Sequence, residues 1–249
     1  MKKLGYILSL IVLTSCTSEF AWDCVQESGP IIEREFNVRQ FKKIQVWERV
    51  QLIVSQGDFQ SVRVETGENL MNEIQVVVKD SILTISDRNS CNWVREYGIT
   101  KVYVTTPNIT EIRNSSGLTV ESRGILRFRR LKLISEDITA EGVYHTDGDF
   151  NLDLDVGNLN INANGLSKFY LRGKIYSGFF GLFDGDVRIE AAELEVERLY
   201  VFHRSTNKMI VNPQDIIRGE IRSLGNVISK NRPRVVEVEE LYTGRLIFE

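Results

Sequence analysis

The stretch FNLDLDVGNLNINANG, residues 150–165, decides the fold of this chain. Between residues 152 and 156, leucine and valine alternate with aspartate, which is the period-two pattern of a strand with one buried face. After Gly157-Asn158 the apolar side chains move to the odd positions of 159–163. Because successive side chains of a strand point to opposite faces, this change of parity predicts a corner at Gly157. The aspartates and asparagines are expected on the outer, solvated surface.

Strand patterns of this kind recur in the second half of the chain. Asp-Gly-Asp turns precede strands at 147–149 and 184–186. Apolar-x-apolar steps recur at spacings of 21, 17 and 18 residues, starting at Leu131, Leu152, Phe169 and Val187. A repeat of about 20 residues with two or three strands favours a β-helix, since the hairpins of a sandwich would recur every 8 to 12 residues or so.

The preceding region, residues 31–106, has a different pattern. Its apolar alternations are broken by turn signals at Gly57-Asp58 and at 79–81, which are typical of antiparallel hairpins. The sequence therefore predicts an all-β protein, a β-helix or solenoid of short strands preceded by an antiparallel hairpin region.

Composition limits the classes of partner. The 249 residues are 42% hydrophobic and carry a formal net charge of -3, as expected of an ordinary folded domain. No overall positive field draws such a chain to nucleic acid, so no nucleic-acid partner is predicted. The most basic run, RFRRLK at 127–132, is interpreted as a solvated strand face, with a polyanion contact as the alternative.

The N-terminus, MKKLGYILSLIVLTSC, has the form of an export signal. Its apolar run from Leu4 to Leu13 is too short to span a bilayer, and a cysteine follows directly. Residues 13–16 resemble the lipobox of bacterial lipoproteins, in which the cysteine is acylated. Residues 1–15 are thus predicted to be a lipoprotein signal peptide, Cys16 the lipidation site and 16–30 a linker. An ordinary signal peptide with an incidental cysteine is the alternative.

The two remaining cysteines form an even pair. In the oxidising envelope, Cys24 and Cys91 are predicted to form a disulfide, against the alternative of two unpaired thiols. Closing so long a loop contributes about 4 kcal/mol in the chain-entropy model.

Several segments of the chain together carry a family resemblance. They are RQFKKIQVWERVQLIVSQGD at 39–58, Glu68-Asn69-Leu70, Leu83-Thr84-Ile85, VYVTTPNITEI at 102–112, Ser223–Val227 and Asn231-Arg232-Pro233. As an ensemble they resemble the putative auto-transporter adhesin, head GIN domain family, a group of Bacteroidetes envelope lipoproteins. The resemblance covers residues 35–249 and implies one GIN-like β-helical domain, assigned to 31–249, with a role in adhesion or surface binding. The family has no agreed catalytic residues.

No catalytic, cofactor or metal site is predicted. The sequence has no HExxH, GxSxG or P-loop spacing, and its two histidines, His145 and His203, are interpreted as a loop residue and a strand-end residue. Calcium binding by Asp147, Asp149, Asp153 and Asp155 is disfavoured because alternate residues of a strand lie nearly 7 Å apart. An enzyme using Asp153 and Asp155 with Arg172 or Lys174 is the least favoured hypothesis.

Aromatic residues are the best binding candidates. Several crowd between positions 169 and 183, and outward-facing rings would form a surface for sugar rings or for a hydrophobic partner. Alternation sends Phe169 inward and Tyr170 outward. The candidate ligand contacts are Tyr170, Tyr176, Phe179 and Phe180.

The sequence therefore predicts a lipid-anchored, non-enzymatic protein of the bacterial cell envelope. It would be an outer-membrane lipoprotein, periplasmic or surface-exposed, that binds a protein or glycan partner through its outer β-wall. The alternatives are a purely structural envelope component and a β-helical polysaccharide lyase or hydrolase.

Overall fold

The computed structural model describes residues 26–89 and 98–249, in which strands are the dominant secondary structure. Among these residues the 3₁₀ turn Met71–Glu73 is the one helical element. The prediction of an all-β protein is confirmed. The strands of the first half are β1 Ile31–Phe36, β2 Lys43–Val46, β3 Val50–Gln56, β4 Ser61–Gly67, β5 Ile74–Lys79, β6 Ile82–Asp87, β7 Thr100–Thr106, β8 Glu111–Asn114 and β9 Val120–Ser122. Those of the second half are β10 Arg130–Ser135, β11 Phe150–Ala163, β12 Lys168–Leu182, β13 Arg188–His203, β14 Met209–Ile221, β15 Val227–Ser229, β16 Val235–Glu240 and β17 Leu246–Phe248.

The strands form two hydrogen-bonded ladders joined into one sheet. Ladder A consists, in order, of β5, β6, β2, β8, β10, the second halves of β11 to β14, and β16. Ladder B consists of β1, β4, β7, β3, β9, the first halves of β11 to β14, β15 and β17. Because the long strands β11 to β14 pass from ladder B into ladder A, the sheet folds back on itself and encloses the core.

Parallel pairing proceeds in nearly equal steps from β11 onward. In ladder B, Phe150 lies beside Phe169, Phe169 beside Ile189, and Ile189 beside Met209, at steps of 19, 20 and 20 residues. The spacings in the sequence aligned Leu131 with Leu152. This register was wrong, because Leu131 pairs with Leu159. The two halves of β11 alternate alike, so periodicity alone does not tell which half meets β10.

The corner predicted at Gly157 is present in β11. Val156 and Leu159 are both buried, whereas Gly157 between them is exposed. An added Cβ at Gly157 would lie 2.7 Å from the carbonyl oxygen of Arg129, the residue before β10. The bend therefore brings the two backbones close together, which a glycine permits.

The region 31–106 contains only part of the predicted antiparallel hairpins. β5 and β6 form a hairpin through Asp80-Ser81, both residues having positive φ. The turn at Gly57-Asp58 does not close a hairpin, since β7 lies between β3 and β4 and pairs with both. β2 and β3 instead join parallel ladders, because their apolar faces extend the core that the later strands build.

One continuous apolar core lies between the ladders. It contains most of the inward-facing valine, leucine and isoleucine side chains, as alternation along each strand requires. Cys16, Cys24 and Cys91 lie outside the described residues, so the lipidation site, the disulfide and the boundaries of the signal segment remain predictions.

Candidate functional site

An aromatic patch occupies the outer face of ladder A on β12 and β13. It consists of Phe179, Phe183, Tyr200 and Phe202. The ring centroids of Phe179 and Tyr200 lie 5.7 Å apart with an interplanar angle of 19°, and those of Phe183 and Phe202 lie 5.4 Å apart. The parallel register produces these pairs, because Phe179 lies directly beside Tyr200 and Gly181 beside Phe202.

Gly181 forms the floor of the aromatic patch. A Cβ at this position would lie 2.7 Å from Cε1 of Phe179 and 2.8 Å from Cζ of Phe183. Because Gly181 has no side chain, the rings of Phe179 and Phe183 cover its backbone from either side. The result is a low, nearly continuous aromatic surface, rather than separate protruding rings.

Hydrogen-bonding groups flank the aromatic patch along both neighbouring strands. On β11, Asn160 lies beside Phe179, and the amide of Asn158 donates to the Ser177 hydroxyl over 2.7 Å. Directly after β14, the guanidinium carbon of Arg222 lies 5.7 Å from the Phe202 ring centroid. An aromatic strip bordered by amides and guanidinium groups suits a sugar, whose C–H faces stack while its hydroxyl groups form hydrogen bonds.

The four predicted contact residues do not form one surface. Phe179 belongs to the aromatic patch, whereas Phe180 is fully buried in the core and is removed from the candidate set. Its position follows from alternation, since only one of two consecutive strand residues faces outward. Tyr170 is exposed on ladder B, away from the patch, and Tyr176 is 57% exposed at the corner between the ladders.

Tyr176 lines an open groove of about 390 Å³ at that corner, called the corner groove here. Lys174, Glu195 and Glu197 also line it. The guanidinium carbon of Arg198 lies 5.4 Å from the Tyr176 ring centroid. The groove opens beside Ser177 of β12, so an extended chain could contact both the corner groove and the aromatic patch.

Tyr200 and Phe202 were not selected from the sequence. They lie in a strand, RIEAAELEVERLYVFH, whose first eleven residues include four glutamates and two arginines, so its aromatic end drew no attention. Their separation from Phe179 and Phe183 is about one repeat, so a correct register would have found them. The spacing of 17 residues read from the sequence between Leu152 and Phe169 obscured that relationship.

The carboxylates considered for calcium or catalysis are engaged separately. Asp153 Oδ1 accepts a hydrogen bond from Arg172 Nε over 2.8 Å, and Asp149 Oδ1 accepts one from the Lys168 amide over 2.7 Å. Asp155 Oδ2 lies 3.9 Å from Lys174 Nζ. Within residues 26–89 and 98–249, no group of three or more His, Cys, Asp or Glu is placed to hold a metal ion.

The two histidines have different surroundings. His145 is half exposed, and its Nε2 lies 3.5 Å from Glu48 Oε1 rather than against the neighbouring aspartates. His203 ends β13 and is fully buried. Burial lowers the pKa of His203 to about 4, opposed only in part by the backbone of Asn207 and Gly225, and neither ring nitrogen has a well-formed hydrogen bond to a described residue.

The sequence matches, over residues 40–233, the family described as "Putative auto-transporter adhesin, head GIN domain". The chain belongs to this GIN domain family. The family's description as an adhesin points to the cell envelope or surface. No curated protein matches the chain significantly. No helix among the described residues combines the length and the apolar character needed to cross a membrane.

Solved structures share the GIN domain fold. A putative adhesin from Bacteroides fragilis has a TM-score of 0.78 at 19% identity, covering 90% of this chain and 100% of its own. A putative lipid binding protein from Parabacteroides distasonis has a TM-score of 0.62 at 13% identity, covering 89% and 100%. A putative adhesin from Parabacteroides merdae has a TM-score of 0.58 at 15% identity, covering 89% and 98%. At these identities the likeness concerns the fold.

Proposed function

We propose that this GIN domain is the binding module of a lipid-anchored, non-enzymatic envelope protein that holds a glycan against its outer β-wall. The observation that carries the proposal is the aromatic patch. One stacked and one tilted ring pair on a glycine floor, bordered by amides on one side and by Arg222 on the other, present the chemistry that sugar rings require. The fold of the described residues supplies the rigid support that such a surface needs.

We infer that the parallel steps of 18 to 21 residues form a β-helix. In such a fold, outer side chains from successive strands stand about 4.8 Å apart. Phe179 and Tyr200 are neighbours in this sense, as are Gly181 and Phe202. A regular wall of this kind favours an extended ligand over a small molecule in a deep cavity, and the open corner groove beside it agrees with this.

The cysteine at the end of the apolar N-terminal run supports membrane anchoring. Gln26, the first described residue, lies ten positions after Cys16. At about 3.5 Å per residue the chain between them spans at most about 35 Å, so an acylated Cys16 would hold the domain close to the bilayer. Mass spectrometry of the protein from a membrane fraction tests this. An acylated Cys16 at the mature N-terminus is expected, and an unmodified residue there would reject the anchor.

The names of the similar structures also support the adhesin-like part of the proposal. Those from Bacteroides fragilis and Parabacteroides merdae are called putative adhesins, and the family description uses the same term. The charged side chains weighed for catalysis form separate ion pairs, Asp153 with Arg172 and Asp155 with Lys174. This arrangement agrees with a function based on binding.

A glycan array with the chain from residue 16 onward, carrying Cys16→Ser, tests glycan binding directly. Binding of one class of extended glycan is expected. Tyr200→Ala and Phe179→Ala should each weaken it by roughly tenfold, since each removes one stacking ring. Tyr242→Ala is the matched control, because Tyr242 is 60% exposed on the turn after β16 and is not one of the four rings of the patch.

Three outcomes are informative. Loss of binding in the patch variants alone supports the proposal. Binding that survives both patch substitutions would place the glycan elsewhere, and Tyr176→Ala would then test the corner groove. No binding to any glycan by the unsubstituted chain would reject the proposal in favour of a protein partner or a structural role.

A further inference from the structure

We propose that a basic corner in the first half of the fold docks on an anionic lipid surface. The corner contains two exposed apolar side chains among cations, most of which have no ion-pair partner among the described residues. Hydrogen bonds fix the loops that carry these side chains. It lies where ladder B turns toward ladder A, on the same side as Gly157. Its residues are Lys42, Phe59, Ile125, Arg127, Arg129 and Arg130.

Phe59 is the most exposed large apolar side chain described, at 84%. Its loop is fixed on both sides. The Gln60 amide donates to the Phe41 carbonyl oxygen over 2.7 Å and accepts from the Phe41 N–H over 3.3 Å, while the Gly57 N–H donates to the Thr106 carbonyl oxygen over 3.2 Å. Hydrogen bonds on both sides of the loop therefore hold the Phe59 ring in a solvent-exposed position. Insertion at a bilayer interface would remove this ring from water.

The arginine-rich segment lies against the same loop. The Gln56 amide donates to the Arg127 carbonyl oxygen over 3.0 Å and accepts from the Arg127 N–H over 2.7 Å. Lys42 and Phe59 line one groove of about 500 Å³. Ile125, two residues before Arg127, is also exposed. Residues distant in sequence thus form one surface in which apolar and cationic side chains alternate.

The charge of this corner is largely uncompensated. Lys42, Arg129 and Arg130 form no ion pair with any described residue. Arg127 has only a loose partner, its Nε lying 3.7 Å from Asp155 Oδ2. Unpaired cations beside a protruding aromatic ring match an anionic bilayer surface, which attracts the charges and accepts the ring.

Among the described residues, the opposite end of the stack offers no comparable group of unpaired cations. Its edge strand β16, VVEVEE, exposes three glutamates, and two of them are paired, Glu237 with Arg218 and Glu240 with Arg245. An anionic surface would therefore attract the basic corner more strongly than the far end. The first described strand, β1, is the edge strand of ladder B, beside β4. Strands β9, β11 and β12 follow β3 in the sheet. At about 4.8 Å per strand, the aromatic patch on β12 lies about 15 Å from β3 along the stacking direction.

Vesicle co-sedimentation tests the inference without any contribution from an acyl chain. The chain from residue 16 onward, carrying Cys16→Ser, is mixed with vesicles of phosphatidylcholine alone or with phosphatidylglycerol added. Binding to the anionic vesicles alone is expected, and high salt should weaken it. The triple variant Arg127→Gln, Arg129→Gln, Arg130→Gln should bind at least about tenfold more weakly. Phe59→Ser should also weaken binding.

Matched controls distinguish this surface from net charge and general hydrophobicity. Arg204→Gln, Arg218→Gln, Arg232→Gln removes three positive charges from the other end of the fold, and Tyr242→Ser removes an exposed ring there. Equal losses in test and control variants would overturn the proposal, as would equal binding to neutral vesicles. Retention on heparin without vesicle binding would assign the corner to a polysaccharide instead and reject the lipid surface. The result is independent of the glycan array, because neither set of variants changes the aromatic patch.

Discussion

Phe150 and Phe169 lie beside each other in the core, with ring centroids 4.7 Å apart and an interplanar angle of 7°. Both side chains are fully buried, and the two residues are paired in the register of β11 and β12. The contact therefore joins two consecutive repeats through their interior. Substitutions at this pair therefore measure how much the stacked core contributes to the free energy of unfolding.

Removing one ring should destabilise the protein strongly. Phe169→Ala is expected to lower the free energy of unfolding by about 3 to 5 kcal/mol, because it leaves a cavity where no side chain can move in. Phe169→Leu, which keeps most of the volume, should cost less than about 1.5 kcal/mol. Urea denaturation measures both. Tyr170→Ala is the control on the outer face, and an equal loss there would contradict the assignment of the two faces.

Gly173 allows a close approach of adjacent strands. Its φ is +105°, and an added Cβ would lie 2.1 Å from the Leu154 carbonyl oxygen. Gly173→Ala should therefore cost more than about 3 kcal/mol, since the strands must separate. Gly124→Ala is the matched control, because Gly124 also has a positive φ, +81°, but no atom within 4 Å of an added Cβ. It should cost only about 1 kcal/mol, and equal effects would show that backbone conformation alone matters.

The buried imidazole of His203 should make stability depend on pH. Its pKa is lowered to about 4 in the folded state, against an ordinary value of 6.5, because burial disfavours the charged form. Between these values the unfolded chain binds the proton and the folded chain does not, so stability falls as pH decreases. From pH 7 to pH 5 the loss should be about 2 kcal/mol.

Urea denaturation at the two pH values measures the contribution of His203. His203→Leu should remove most of the difference, since leucine does not titrate and Leu182 already occupies the neighbouring position in β12. His145→Gln, which replaces the other histidine of the sequence, is the control. An unaltered pH dependence in His203→Leu would show that other groups cause it.

Asp87 organises a buried polar network at the end of β6. Its Oδ1 accepts hydrogen bonds from the backbone and side-chain nitrogens of Asn89 over 2.9 and 2.7 Å, and its Oδ2 accepts one from the Thr100 hydroxyl over 2.7 Å. Asp87→Asn places an amide donor against these donors and should cost about 1 to 3 kcal/mol. The exposed Asp58→Asn should change the urea midpoint little, and comparable effects would argue against the network.

Peptide mapping without reduction tests the predicted disulfide. A linked peptide pair containing Cys24 and Cys91 is expected from protein purified from an oxidising compartment. Cys24→Ser and Cys91→Ser should each lower stability by the same amount, at most about 4 kcal/mol, and the double variant should lose no more. Additive losses, or free thiols at both positions, would reject the pairing.

Part of the fold was predictable because it depends on local alternation. The corner at Gly157 follows from a change of parity between residues 156 and 159, and the hairpin at Asp80-Ser81 follows from turn chemistry. The register was not predictable, because Leu131 and Leu133 alternate in the same way as either half of β11. Similarly, Phe179 was among the predicted contacts, but its partner Tyr200, 21 positions away, was not, because the two residues become neighbours only in the folded register.

The amino-acid sequence by itself determined that this chain is all-β, that it bends at Gly157 and which family it belongs to. These properties depend on the period of apolar residues and on short motifs, both of which are local. The tertiary structure alone decided which strands are neighbours, that β7 separates β3 from β4, and that Phe179, Tyr200, Phe183 and Phe202 form one surface. Neighbouring strands share their alternation, so only the packing of the whole core selects one register among several of similar local pattern.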